Sequence, residues 1–179
     1  MIPFSEMTQG ELGAYVQSHL RNKGITVVLS GGAAVSIYSN DRYVSQDLDF
    51  INVYAVNRKL IRTAMEEIGF QEEGRYFKRS DTDFLIEFPA GPLAIGDEMI
   101  KNIVEKEFST GILQIISPTD CVKDRLAAYY HWGDRQCLAQ AEMVSQECPI
   151  DLDEIKRWSA REDKRAEFEK IRDRLSGNP

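Results

Sequence analysis

The sequence predicts an α+β domain, a β-sheet flanked by helices, followed by a C-terminal helical extension. Three observations predict it. Short apolar runs bounded by turn residues recur at Ile25–Leu29, Asp47–Ile51, Arg75–Arg79, Asp83–Phe88, Ile103–Phe108 and Ile112–Ile116. Between them lie stretches with apolar residues at helical spacing, and after Pro149 comes a charge-rich stretch with a helical pattern of its own. At 179 residues, 42% apolar and 28% charged, the chain has the composition of an ordinary globular domain and the length to bury a core.

Thr8 and Glu11 form a capping-box pattern before Leu12, Tyr15, Val16 and Leu20, so a first helix runs until Asn22–Gly24 and delivers the chain into a strand ending at Leu29. Ser30-Gly31-Gly32 is a turn, and Ala33–Tyr38 reads as a helix. Two adjacent glycines let a ligand approach the backbone, and the N-terminus of the helix offers unpaired N–H groups to an anion. In the next strand Asp47 and Asp49 share one face and Leu48 and Phe50 the other. Two carboxylates one strand step apart repel, and a fold tolerates them where a cation sits between; Mg²⁺, held by one or two carboxylates and substrate phosphates, is the natural guest.

Asn57–Ile68 is a packing helix with Leu60, Ile61, Ala64, Met65 and Ile68 on one side, ended by Gly69. Arg75–Arg79 and Asp83–Phe88 form a hairpin across Ser80-Asp81-Thr82, with Phe84, Ile86 and Phe88 inward and Asp83, Leu85 and Glu87 outward. Pro89–Gly96 is a connection, and the hairpin around Ser109-Thr110-Gly111 extends the sheet. Ser117 caps a helix with Pro118 at its first position, Val122, Leu126, Ala127 and Tyr130 form its core stripe, and Lys123, Asp124 and Arg125 lie near its start. Asp134 caps a further helix to Gln146. Residues 151–175 are expected as one long charged helix with Leu152, Ile155, Trp158, Phe168, Ile171 and Leu175 as its apolar positions. Its acidic and basic residues balance, the pattern of a salt-bridged solvated face; it is also a candidate surface for a partner or a second copy of the chain.

Gly31-Gly32, fourteen intervening residues, and Asp47-x-Asp49 within Asp-Leu-Asp-Phe resemble the signature of the nucleotidyltransferase superfamily, the polymerase-beta-like fold. Arg42, Ser45 and Asp47-Leu48-Asp49 are most similar to the abortive-infection-type nucleotidyltransferase toxins of bacterial toxin–antitoxin systems. The likeness spans roughly residues 25 to 141. It implies a nucleotidyltransferase-like mixed β-sheet flanked by helices over 1–148, with 149–179 as the C-terminal charged helix.

The resemblance further implies an enzyme that moves a nucleoside monophosphate from a nucleoside triphosphate such as ATP to a hydroxyl of RNA, tRNA above all, or of a protein. Asp47 and Asp49 then bind Mg²⁺. The third acidic ligand of the superfamily comes from a later strand, where Glu87 is the candidate and Asp83 the rival, and it completes a two-metal site. Ser30, Gly31, Gly32, Arg42 and Ser45 hold the phosphates. Lys123 takes the place of a basic residue near the start of a later helix, although it also reads as an ordinary exposed position. Asp134 matches an acidic residue that orients that base, or is simply a cap. An antitoxin is an implied partner. Two other functions remain open: a small-molecule transferase of the antibiotic-modifying kind, with an acidic acceptor pocket, and a non-catalytic binding protein that keeps the fold.

A net charge of −7 argues against a broad electrostatic hold on nucleic acid and leaves RNA only a local basic groove. No apolar stretch is long enough to span a membrane and the N-terminus lacks the plan of a signal peptide, so the chain is expected in the cytoplasm. Cys121, Cys137 and Cys148 read as buried thiols, and His19 and His131 as packing or surface residues.

Overall fold

The computed structural model describes residues 2–177; residues 1 and 178–179, the outer ends of the two expected segments, lie outside the described residues. A 3-10 turn at Phe4–Glu6 precedes α1 (Gln9–Asn22). Thr8 caps α1 in a complete capping box: its hydroxyl accepts from the Glu11 amide, and the Glu11 carboxylate accepts from the Thr8 amide at 2.9 Å. There follow β1 (Val27–Ser30), α2 (Gly31–Tyr38), β2 (Asp47–Asn52) and α3 (Arg58–Glu67), the last capped by the side chain of Asn57.

β3 (Gln71–Glu73), β4 (Tyr76–Lys78) and β5 (Leu85–Glu87) come next, then a separate small hairpin of β6 (Ala94–Ile95) and β7 (Glu98–Met99). β8 (Ile103–Phe108) and β9 (Gly111–Ile116) complete the strands. Seven of them form one mixed sheet in the order β3-β4-β5-β2-β1-β9-β8. β2 runs antiparallel to β1 and parallel to β5, and β1 runs parallel to β9. The central strand, β2, and its neighbour β1 are thus those on either side of the Gly31 turn.

β3 and the β6–β7 hairpin are additions to the sequence reading. Gln71, Glu72 and Glu73 have no apolar alternation, so nothing marks them as a strand; they form a polar edge, held by the ladder to β4 and by Arg58 and Arg62 on Glu72.

The C-terminal segment requires a correction. It is two helices, α6 (Leu152–Arg161) and α7 (Arg165–Leu175), not one. The chain reverses at Asp163, which adopts a left-handed backbone (φ +58°) that aspartate tolerates better than most residues. Burial is the reason for the break. Between Trp158 and Phe168 the only apolar residues are alanines, so a straight helix has no continuous stripe there. Folding back puts Ile155, Trp158, Phe168, Ile171 and Leu175 into the same buried cluster as the sheet and α1. Their apolar surface is therefore covered within the chain. Charged pairs line the outside, with Lys156 to Glu169 at 3.1 Å joining α6 to α7 and Arg174 to Glu142 at 2.6 Å joining α7 to α5 (Arg135–Glu147).

α4 (Pro118–Trp132) starts where β9 ends, capped by Ser117, and closes on the left-handed Gly133. α2 touches β2, α4 and α5, and so ties the helical group to the sheet beside the Gly31 turn. Among the described residues, no helix is long and apolar enough to cross a membrane.

Candidate active site

The site begins with the alternation of β2. Leu48, Phe50 and Asn52 are buried, while Asp47, Asp49 and Ile51 are partly exposed on the other face. Asp49 pairs in register with Ser30 of β1 on one side and with Glu87 of β5 on the other, and Glu87 pairs with Tyr76 of β4. Register partners project to one face about 5 Å apart. Tyr76, Glu87, Asp49 and Ser30 therefore form a row across four strands, with Asp47 one step along β2 on the same face. Asp83 precedes β5 and takes no part in the register.

The turn from β1 into α2 presses on this row. Gly31 has φ +67°, and a β-carbon there would stand 2.4 Å from Asp49 Oδ2, so any side chain would have to displace that carboxylate. Gly32 is confined less tightly, by Ser45 Oγ at 2.9 Å from its would-be β-carbon. Ser30 is the N-cap position of α2 but makes no side-chain cap; its hydroxyl donates instead to the Asp49 carbonyl at 3.4 Å. The first N–H groups of α2 are left without that partner, at the end of the helix where an anion is favoured.

Ser45 shapes the entry to β2. Its hydroxyl donates to the Asp47 carbonyl at 3.1 Å, its amide donates to Ser36 Oγ at 2.9 Å, and its carbonyl accepts from Gln9 Nε2 at 3.0 Å.

Electrostatically, Asp49 carries the strain. Burial first, then the charges of Glu87 and Asp47, push its pKa up to about 6; Arg125 opposes the rise and Asp124 adds to it. Glu87 has one cation beside it, Arg75, whose Nε lies 3.5 Å from Glu87 Oε2. Among the described residues, no three His, Cys, Asp or Glu side chains are gathered closely enough to form a ready metal cage. Asp47, Asp49 and Glu87 are instead hard oxygen donors on adjacent strands, two of them crowded, which matches the ligand chemistry of Mg²⁺ in kind.

Not every residue expected at the site is brought to it. Arg42 reaches away, its Nη1 donating to Gln146 Oε1 at 2.9 Å and pairing with Glu147 Oε1 at 3.2 Å at the end of α5. Lys123 is buried, not exposed, and its ammonium is shared between Asp120 at 3.3 Å and Glu154 of α6 at 2.6 Å. Asp134 is a cap, its carboxylate accepting from the amides of Gln136 and Cys137.

Sequence reasoning missed Arg125 and Arg75. Arg125 lies two positions beyond Lys123, about 200° around the helix. There it bonds Asp124 at 2.5 Å and Gln140 Oε1 at 3.3 Å and acts on Asp49. Helical rotation was the available signal. Arg75, expected as the first residue of a strand, sits instead in the turn between β3 and β4.

No family model matches the chain, and no curated protein matches it in sequence. Solved structures do match in shape. A nucleotidyltransferase-like protein from Paracoccidioides brasiliensis, described as antigenic, superposes with a TM-score of 0.65 at 15% identity, covering 99% of this chain and 96% of its own. The crystal structure of ANT(2'')-Ia in complex with adenylyl-2''-tobramycin gives a TM-score of 0.54 at 15% identity, covering 92% and 98%. A solution structure of the same antibiotic-resistance factor gives 0.52 at 12% identity, covering 90% and 91%. By these likenesses the chain has the nucleotidyltransferase fold, over nearly its whole length.

Proposed function

We propose that the protein is a Mg²⁺-dependent nucleotidyltransferase that moves a nucleoside monophosphate from a nucleoside triphosphate to an acceptor hydroxyl. The observation that carries the reading is the row Ser30, Asp49, Glu87, with Asp47 on the same face, pressed against the uncapped start of α2.

In this reading Asp47 and Asp49 would hold the metal, and Glu87 on the neighbouring strand would complete a second position. Mg²⁺ held by these carboxylates would offset the charge that moves onto pyrophosphate and would make the acceptor hydroxyl a better nucleophile. The Gly31-Gly32 turn lets phosphate oxygens approach the amides of α2 with no β-carbon in the way. Ser45 fixes the entry of β2 and so the position of Asp47. Arg125, half-buried on α4, supplies positive charge that acts on Asp49, and Lys123 supports the site by locking α4 to α6. The protein's task is positioning and charge neutralisation, which is most of what phosphoryl chemistry asks of it.

For the acceptor we favour a hydroxyl on a polycationic small molecule. A net charge of −7 and the surplus of carboxylates around Asp49 support it, as does the likeness in fold to ANT(2'')-Ia in its adenylyl-tobramycin complex. Pyrophosphate release with Mg²⁺ and each triphosphate, measured with a panel of aminoglycosides or with total tRNA, tests the choice. Stimulation by a polycationic sugar supports it; stimulation by tRNA alone returns the acceptor to RNA, as the resemblance to the toxins implies.

A further inference from the structure

The turn between β3 and β4 brings a cation to a site otherwise built of carboxylates. Gly74, at φ +63°, makes the turn, and Arg75 follows it. The backbone of Arg75 is anchored, because its carbonyl accepts from Arg58 Nη2 at 3.1 Å while Arg58 also pairs with Glu72 of β3. The side chain is not anchored in the same way. It is 68% exposed, lies over the Tyr76 ring at 4.7 Å, bonds the Tyr76 hydroxyl, and reaches Glu87 Oε2 at 3.5 Å.

Position and exposure together make this pair exchangeable. Tyr76 is the register partner of Glu87, so the guanidinium stands over the end of the Tyr76–Glu87–Asp49–Ser30 row. A contact at 3.5 Å to a solvated arginine is a weak ion pair that a divalent cation displaces readily. A released guanidinium is a planar fork matched to phosphate oxygens, and it stays tethered at the edge of the site by its fixed backbone.

We propose that Arg75 is an exchangeable counter-ion of the candidate site: its guanidinium neutralises Glu87 while the site is empty and passes to the nucleotide's phosphates when a divalent cation takes Glu87. The inference rests on the nucleotidyl-transfer reading above. It gives Arg75 two opposed effects, competition with the metal alone and support of the metal–nucleotide pair.

The test is Mn²⁺ binding, read from the electron paramagnetic resonance signal of the free ion, for the wild type, Arg75→Ala, Arg75→Lys and Asp49→Asn. Each is titrated alone and with α,β-methylene analogues of the four nucleoside triphosphates. Arg75→Ala is expected to bind Mn²⁺ alone about threefold more tightly, the scale of an exposed ion pair. It is expected to bind the analogue about tenfold more weakly with Mn²⁺ present, the scale of a lost charge-assisted bond to phosphate. Arg75→Lys should fall between it and the wild type in both. If Asp49→Asn weakens Mn²⁺ binding but Arg75→Ala leaves either quantity at the wild-type value, the exchange is overturned and the metal site stands. If Asp49→Asn leaves Mn²⁺ binding unchanged, the nucleotidyl-transfer reading falls and the exchange falls with it.

Discussion

Gly31 and Asp49 share one volume: the space a β-carbon would take at position 31 lies 2.4 Å from Asp49 Oδ2. The turn that leads into the uncapped start of α2 is therefore also the wall that positions a carboxylate. Gly31→Ala should cost about 2 kcal/mol or more, the sum of a left-handed backbone penalty of about 1 kcal/mol and a steric overlap with the carboxylate. In the Gly31→Ala, Asp49→Ala double variant the overlap is gone, and the remaining cost of the alanine at 31 should fall to about 1 kcal/mol. Urea unfolding of the four proteins of this cycle measures both.

Asp49 makes the metal-free protein pH-sensitive. Its folded pKa, pushed up to about 6 by burial and then by Glu87 and Asp47, lies above the unfolded carboxylate value, so the folded state binds this proton more tightly. The stabilisation from that proton is complete below about pH 4 and is lost as pH rises through 6. Asp49→Asn should match the wild type near pH 4 and exceed it at pH 7.5 by on the order of 2 kcal/mol with EDTA present. Millimolar Mg²⁺ should narrow that gap by stabilising the wild type alone. Denaturant midpoints at the two pH values, with and without Mg²⁺, check the sign.

Lys123 is expected to matter for stability before chemistry. Removing its charge leaves Asp120, which is 7% exposed, without its cation and frees Glu154, whose pKa is held down to about 2 by Arg157 first and then by Lys123. Lys123→Met should lower stability by about 3 kcal/mol, the scale for breaking a buried pair from one side. Mn²⁺ affinity measured at a temperature where the variant is folded should stay within about twofold of the wild type, since the weakened contact is between α4 and α6. A large loss of metal or nucleotide affinity with unchanged stability would move Lys123 into the site.

What was legible in the sequence was what depends on local pattern. The capping box at Thr8 and Glu11, the Ser117-Pro118 start and the alternation through Asp47–Asn52 each act over a few residues, and each is present in the fold. Glu87 was reached through the family resemblance, since strand parity left Asp83 its equal; its pairing with Asp49 is a register between distant strands that no local pattern announces. Long-range partners were less legible. Arg42 and Lys123 find carboxylates at Glu147 and Glu154, more than thirty residues from Lys123 and about a hundred from Arg42, and no spacing rule announces such pairs. The break at Asp163 was readable in principle, from the absence of large apolar residues between Trp158 and Phe168, but balanced charge along the segment looked like one exposed helix. Arg75 was expected within a strand, and its place in a turn beside Glu87 went unread because β3 is held by its neighbours and not by its own composition.

The most direct measurement of the central claim compares label placed at the α- and at the γ-phosphate of each nucleoside triphosphate, with Mg²⁺ and a cellular lysate as acceptor source, for the wild type and the Asp47→Ala, Asp49→Ala double variant. The account predicts stable incorporation of α-label and none of γ-label by the wild type, and loss of incorporation in a variant that still folds. Incorporation of γ-label, or α-label transfer that survives loss of both aspartates, would contradict it.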